Sequence, residues 1–181
     1  MHCSYVYEVK AVNQMSERSD MPEENSNELN RIEEIIIRNE NRMFRAALAI
    51  MGNKTDAEDI IQDVFVKLLE KEYRFESPEH EVAWLIRVTV NQCKSHLRSY
   101  WQKNTVPLLD SYPAKDEEQS DLIYAVNALP TKYRTVIHLF YYEGYSTREI
   151  AEITKQKEST VREQLTRARR SLKITLEGDQ S

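Results

Sequence analysis

The 181-residue chain has only three glycines, five prolines and two cysteines, and no long apolar run. So few turn-forming residues leave little room for an all-β fold with many tight turns, which makes helices the favoured reading. Two cysteines, Cys3 and Cys93, stand far apart and make no disulfide framework; they suit a reducing cytoplasm. No apolar stretch approaches the roughly 18 residues that a membrane span requires. The best candidates, "AALAIM" and the interrupted "IEEIII", are core-sized. The N-terminus has no basic stretch followed by an apolar one, so no secretory signal is expected. Catalytic signatures are also lacking: there is no glycine-rich phosphate loop, no His-Glu-x-x-His and no Gly-x-Ser-x-Gly elbow. Neither an enzyme nor a cofactor is expected. Cys93 and His96 are three residues apart and can share a metal, but two ligands do not make a zinc site, and a structural role is the expectation.

What the chain does contain is 40% apolar and 30% charged residues, enough for compact cores with large solvated faces in one large domain or two small ones. Residues 1–27 are polar and aperiodic and read as a disordered tail, or in part as a mis-called start, since Met15 and Met21 are later possible initiators. From about Glu28 a helical period sets in, with Ile32, Ile35, Ile36, Met43, Phe44, Ala47, Leu48 and Met51 on one face. "GNKTDAED" breaks it, and Thr55 or Asp56 is the expected N-cap of a helix over about 57–71. That helix buries Ile60, Ile61, Val64, Phe65 and Leu68. Its opposite face carries Asp59, Asp63 and Glu70 with Val66 among them, which fits either a solvated face or a docking surface.

"YRFESPEHE" reads as a loop, and a helix resumes near Glu81 and runs to about Tyr100. "KNTVPLLDSYPAKDEEQ" has two prolines and no helical period, which makes it a linker between two helical units. The second unit starts near Asp121, with Leu122, Ile123, Val126 and Leu129 on one face. Pro130 ends that helix, Thr131 starts another, and Gly144 is the expected C-cap. The fold class is all-α: two small helical domains joined by a flexible linker. The charge is uneven. Asp56–Glu81 holds nine acidic and three basic residues, Leu85–Lys103 four basic and no acidic, and Gly144–Lys173 eight basic and four acidic. A net charge of −5 therefore conceals two basic surfaces, one in each unit.

Two constellations follow. In "YSTREIAEITKQKESTVREQLTRARRSL", Ser146 and Glu149 make a capping box, and Ile150, Ala151 and Ile153 an inward face. "TKQK" separates that short helix from a longer one, where Thr160 and Glu163 can form a second capping box. Val161, Leu165, Ala168 and Leu172 mark the longer helix's buried stripe. A short helix, a tight turn and a longer helix match a helix-turn-helix, leaving Arg162, Glu163, Thr166, Arg167 and Arg170 exposed to reach base edges and phosphates; the alternative is a basic solvated helix. The second constellation is one face of the 81–100 helix, with Trp84, Arg87, Asn91, Lys94, Arg98 and then Trp101 spaced by threes and fours. Rings stack on unpaired bases, an amide reads base edges and cations hold phosphates, although Trp84 alone fits a core or rim position equally well.

Together these segments resemble the bacterial extracytoplasmic-function (ECF) sigma factors over roughly residues 28–176. "AEDIIQDVFVKLLEK" resembles the family's core-polymerase-binding helix and "AWLIRVTVNQCKSHLRS" its promoter-melting helix, while "ALPTKYRTVIHLFYYEGYSTREIAEIT…STVREQLTRARRSL" resembles its C-terminal domain. The resemblance implies domains at 28–102 and 121–176, a linker at 103–120 and a tail at 177–181. It implies that Asp59, Gln62, Asp63 and Val66 dock on the β′ clamp of core RNA polymerase. Phe75 and Asn91 would capture flipped bases of the minus-ten element, Arg87, Lys94 and Arg98 would hold its backbone, and Trp84 would belong to the same minus-ten surface. Ser159, Thr160, Arg162, Glu163, Thr166, Arg167 and Arg170 would read the minus-thirty-five element. The implied partners are core polymerase (β′ clamp and β flap), promoter DNA and an anti-sigma factor, without membrane insertion, in the cytoplasm. "TKQK" departs from the pattern in lacking glycine or proline, and Glu163 and Gln164 replace the small and basic residues common there. The function implied is promoter-specific initiation. A stand-alone helix-turn-helix regulator, or a sigma-like interaction module that sequesters a regulator, is the competing reading.

Overall fold

A computed structural model describes residues 23–70, 73–103 and 121–178. All regular structure among them is helical: α1 Glu23–Met51, α2 Lys54–Leu69, α3 Pro78–Lys103, α4 Asp121–Asn127, α5 Thr131–Ile137, α6 Thr147–Thr154 and α7 Glu158–Gly178. Residues 1–22 of the expected disordered tail and 104–120 of the expected linker lie outside the described residues, whereas residues 23–27 are helical, a correction to the tail's expected end. Helix α1 begins at Glu23, ahead of the expected Glu28, because "EENSNEL" contains no breaker to stop a helix outrunning its apolar stripe.

Helix starts are set by local hydrogen bonds that the apolar period does not display. Asn53, rather than Thr55 or Asp56, caps α2: its side chain accepts from the Asp56 N–H at 2.8 Å. Helix α3 begins at Pro78 and not near Glu81. Proline suits the first helical position, where its missing N–H costs nothing, and the Ser77 hydroxyl accepts from the His80 N–H at 3.2 Å. Between α1 and α2, Gly52 has φ +80° and ends α1 in the left-handed region that glycine enters without strain.

Helices α1, α2 and α3 pack mutually, and α5, α6 and α7 form the second group. Ile36, Met43, Ile60, Phe65, Leu68, Leu85 and Ile86 fill the first core, all but completely buried. Leu129, Leu139, Ile150, Val161 and Leu165 fill the second. In α4 the buried residue is Ala125, and Leu129 is buried just beyond the helix, whereas Leu122 and Ile123 of the expected apolar face are about half exposed. Helix α5 passes into a π-helical turn, His138–Tyr142, before Gly144 at φ +75°. The two groups are not apart: one continuous apolar cluster runs from Ile32 to Ala168, and α1 touches α5 while α3 touches α6. Cys93 is fully buried, and desolvation pushes its thiol up to about 12, so it serves as a small core hydrophobe. Among the described residues no helix is long and apolar enough to cross a membrane.

Candidate polymerase and nucleic-acid interfaces

On α2, the residues facing away from the core are Asp59, Gln62, Asp63 and Val66, all exposed, with Leu69 exposed beside them. Val66, at 45% exposure, stands inside an acidic stripe, with Leu69 at 42% one turn on. Asp63 accepts from Gln92 of α3 at 2.9 Å, and the same Gln92 accepts from Lys67. The acidic face and the basic helix are therefore joined at their seam.

Helix α3 presents Arg87 and Arg98 exposed, and Trp84, Asn91 and Lys94 half-buried, along one edge. Trp101's side chain lies outside the described residues. At the N-terminal end of that edge, Tyr73, Phe75 and Trp84 form an aromatic cluster with centroids 4.1 Å (Tyr73–Trp84) and 5.6 Å (Phe75–Trp84) apart. His80 meets Phe75 edge-on at 5.8 Å. Tyr73 and His80 were not foreseen: they sit in an aperiodic stretch, and their only signal is that aromatics recur two and five residues from Phe75. The cluster is held from α1. Arg31 donates to the Tyr73 carbonyl at 2.6 Å. Glu81, almost wholly buried, accepts from Asn39 at 2.7 Å and, through both of its oxygens, from Arg38 Nη2 at 3.0 and 3.1 Å. A buried carboxylate in the first turn of α3 is stabilised by these charge-assisted bonds and by the positive end of the helix dipole. The cations of α3 thus lie along the same helix edge as a partly buried aromatic cluster, residue types suited to stacking bases and holding phosphates.

In the second unit, α6 starts on the expected capping box: Ser146 accepts from the Glu149 N–H, and Glu149 accepts from the Ser146 N–H at 2.8 Å. The Ser146 hydroxyl, donating to the Glu149 carboxylate at 2.6 Å, and then the Ser146 N–H hold that carboxyl below its ordinary range. Helix α6 ends at Lys155 with φ +53°. This is the left-handed residue that glycine usually supplies in such a turn, which explains how "TKQK" turns without one. The second capping box does not form. Helix α7 begins at Glu158, so Thr160 lies inside its first turn, and Glu163 pairs with Arg167 instead. Glu158 takes the role at this end: it accepts from the Thr147 hydroxyl at 2.7 Å and from Arg162 at 2.7 Å, the first of which contributes most to holding its carboxyl low. Val161, Leu165 and Ala168 are buried as expected, and Leu172 is half-buried. Ser159, Arg162, Glu163, Thr166, Arg167 and Arg170 are exposed on the opposite side, with Thr160 half-buried at their edge. The Thr166 hydroxyl is turned back onto the Arg162 carbonyl at 2.9 Å.

Comparisons with known proteins agree with this geometry. A family model described as Sigma-70 region 2 matches residues 35–103, and one described as Sigma-70, region 4 matches residues 119–172. The RNA polymerase sigma factor SigV of Bacillus subtilis is 30% identical over 138 residues, which cover 74% of this chain and 83% of that protein. The ECF RNA polymerase sigma factor SigE of Mycolicibacterium smegmatis is 29% identical over 154 residues, covering 78% of this chain and 60% of the relative. Among solved structures, the sigma factor RpoE in complex with the anti-sigma factor NepR from Bartonella quintana has a similar fold. Its TM-score is 0.63 at 22% identity, covering 78% of this chain and 94% of that one.

Proposed function

From the premise that the chain belongs to the sigma-70 family, in its ECF branch, we propose a division of labour among its surfaces. The chain is a promoter-directing sigma factor. Asp59, Gln62, Asp63 and Val66 of α2 dock on the β′ clamp of core RNA polymerase. The α3 edge reads and opens the minus-ten element: Phe75, Trp84 and Asn91 take up unpaired bases, and Arg87, Lys94 and Arg98 hold backbone. Unstacking a base costs a few kcal/mol, which the ring and amide contacts offset. The exposed side of α7, from Ser159 to Arg170, enters the major groove at the minus-thirty-five element. Residues 28–102 and 121–176 are the corresponding functional domains, joined through 103–120.

Sigma factors are initiation factors and not enzymes; this chain catalyses nothing itself and directs the polymerase's chemistry, in the cytoplasm. The β flap and an anti-sigma factor complete its partners, the latter supported by the anti-sigma factor bound to the RpoE neighbour. The observation that carries the reading is the aromatic cluster of Tyr73, Phe75 and Trp84 at the head of the cationic α3 edge. A stand-alone helix-turn-helix regulator has no use for it. The test is reconstitution with core polymerase and start-site mapping. The reading expects run-off transcripts that share an upstream motif. Tight binding of a duplex operator without polymerase, and no initiation with it, would sink it. Asn91→Ala is expected to impair opening while leaving polymerase binding intact.

A further inference from the structure

Among the arginines on the exposed side of α7, Arg162 is tied to more than one neighbouring side chain. Its Nε and Nη2 both donate to a single oxygen, Glu158 Oε1, at 3.1 and 2.7 Å. The same oxygen accepts from the hydroxyl of Thr147, the first residue of α6, at 2.7 Å across the turn. Glu158 is itself the first residue of α7, where the positive end of the helix dipole favours a carboxylate. An isolated exposed pair one turn apart is worth little, because both side chains must be ordered to make it. Here the carboxylate is already ordered by a hydroxyl on a second helix. That helix starts on the Ser146–Glu149 box, and α6 and α7 pack on each other with Ile150 and Val161 fully buried. Thr147 is half-buried. The chain from Thr147 through Glu158 to Arg162 therefore fixes the guanidinium to the frame of the helix-turn-helix.

The donors left over decide what Arg162 can read. A guanidinium has five N–H groups, one on Nε and two on each terminal nitrogen. Glu158 takes the Nε–H and one of the Nη2 pair. The end of the fork, with one N–H from each terminal nitrogen, stays open. Two parallel donors match the O6 and N7 acceptors of guanine in the major groove, whereas adenine sets an amino donor beside its N7 and thymine offers O4 alone.

We infer that Glu158 and Thr147 are positioning residues for minus-thirty-five specificity, holding Arg162 end-on so that it reads one guanine of that element. The inference rests on the proposed role of α7. Glu158 acts on recognition without touching DNA, and its bond to Arg162 persists in the complex. The Glu163–Arg167 pair, without a hydroxyl anchor from α6, is the kind that a cation exchanges for phosphate. As a bare charge on a DNA-facing surface, Glu158 weakens binding to every sequence. As a positioning residue it sharpens the preference at one base pair, and the two effects are separable.

The test uses holoenzyme reconstituted from the full-length chain and core polymerase. A promoter fragment carrying the mapped minus-thirty-five element competes with fragments changed at each of its base pairs in turn. Arg162→Ala identifies the pair that Arg162 reads, through a loss of preference there of at least about five-fold. Glu158→Gln, which keeps the size and removes the charge, is expected to lower the preference at that same G·C pair by at least about three-fold. Thr147→Val, which replaces only the hydroxyl, is expected to do likewise, and Thr147→Ser to restore the preference. Preferences at the other pairs hold in all three. The inference is overturned if Glu158→Gln tightens binding to all fragments alike and leaves every preference unchanged, as the loss of a bare charge does. It is equally overturned if Arg162→Ala weakens all fragments uniformly, or loses preference at a pair that is not G·C. A wild-type holoenzyme with no preference at any minus-thirty-five pair contradicts the role of α7 itself, so the two failures are told apart by the wild type alone.

Discussion

The two surfaces proposed to meet promoter DNA are built on opposite plans. The α3 edge is half core: Trp84, Asn91 and Lys94 are half-buried, the helix behind them rests on Leu85, Ile86 and Val90, and its N-terminus is pinned to α1 through buried Glu81. The α7 face is all surface. Its arginines are exposed, and Arg162 and Arg167 rest on Glu158 and Glu163 one turn away. A site for extruded bases needs rings and amides fixed beforehand, because unstacking must be offset by contacts already in place. A helix entering a major groove needs long cations that give up weak solvent-exposed pairs for phosphate and base edges. Stability and recognition are therefore coupled in α3 and separable in α7.

The largest expected effect is on the coupled side. Leu85→Ala removes a fully buried side chain beneath the α3 edge and is expected to cost about 3–4 kcal/mol in chemical denaturation. Promoter opening should fall with it; opening at wild-type rate by a protein that much less stable would show that the edge does not depend on its core. Glu81→Ala comes next. It leaves the buried Asn39 amide and the Arg38 guanidinium without their carboxylate, at about 2–3 kcal/mol. The aromatic cluster loses its anchor, so fluorescence from a 2-aminopurine in the minus-ten strand should drop while affinity for core polymerase is retained. Equal losses in both measurements would contradict a role confined to the α3 edge.

On the separable side, Arg162→Ala is expected to leave the unfolding midpoint almost unchanged. If Arg162 makes a bidentate base contact, discrimination at the minus-thirty-five element falls by about 1–3 kcal/mol. Competition binding of holoenzyme against single-base variants reads it. A uniform loss across all variants would move Arg162 into the phosphate-contact class.

How much of this was legible in the sequence follows the same divide. The α7 stripe, the Ser146–Glu149 box and the exposed arginines all follow from spacing along one helix, where neighbours are three and four residues apart. The second box at Thr160 did not form because a start signal is only as good as the boundary assumed for it, and Glu158, paired to Thr147 across the turn, set that boundary two residues earlier. In α3 the cationic face was readable for the same reason, but its support was not. Glu81 meets Asn39 and Arg38 from 42 and 43 residues away, and Arg134 meets Ala49 from 85. Nothing in local periodicity reports a partner at that separation. The face of Leu122, Ile123, Val126 and Leu129 shows the same limit: the period marked an apolar face, but not which part of it a neighbour would cover.

The smallest effect tests the local kind of signal on its own. Ser146→Ala removes the side chain that caps α6 and is expected to cost about 1 kcal/mol. Glu149 supplies a pH signature. Its carboxyl is held low in the folded state, chiefly by the Ser146 hydroxyl and then by the Ser146 N–H. A carboxyl with a depressed folded pKa contributes stability that is present above its unfolded value and is lost as pH falls through the folded one. Ser146→Ala should therefore destabilise the protein most near neutral pH and progressively less in acid, and the Glu149 midpoint, followed by NMR, should rise towards the ordinary glutamate range. A midpoint that does not move would mean that the backbone N–H alone sets it, and the side-chain half of the box would then stabilise α6 only by satisfying the Glu149 N–H.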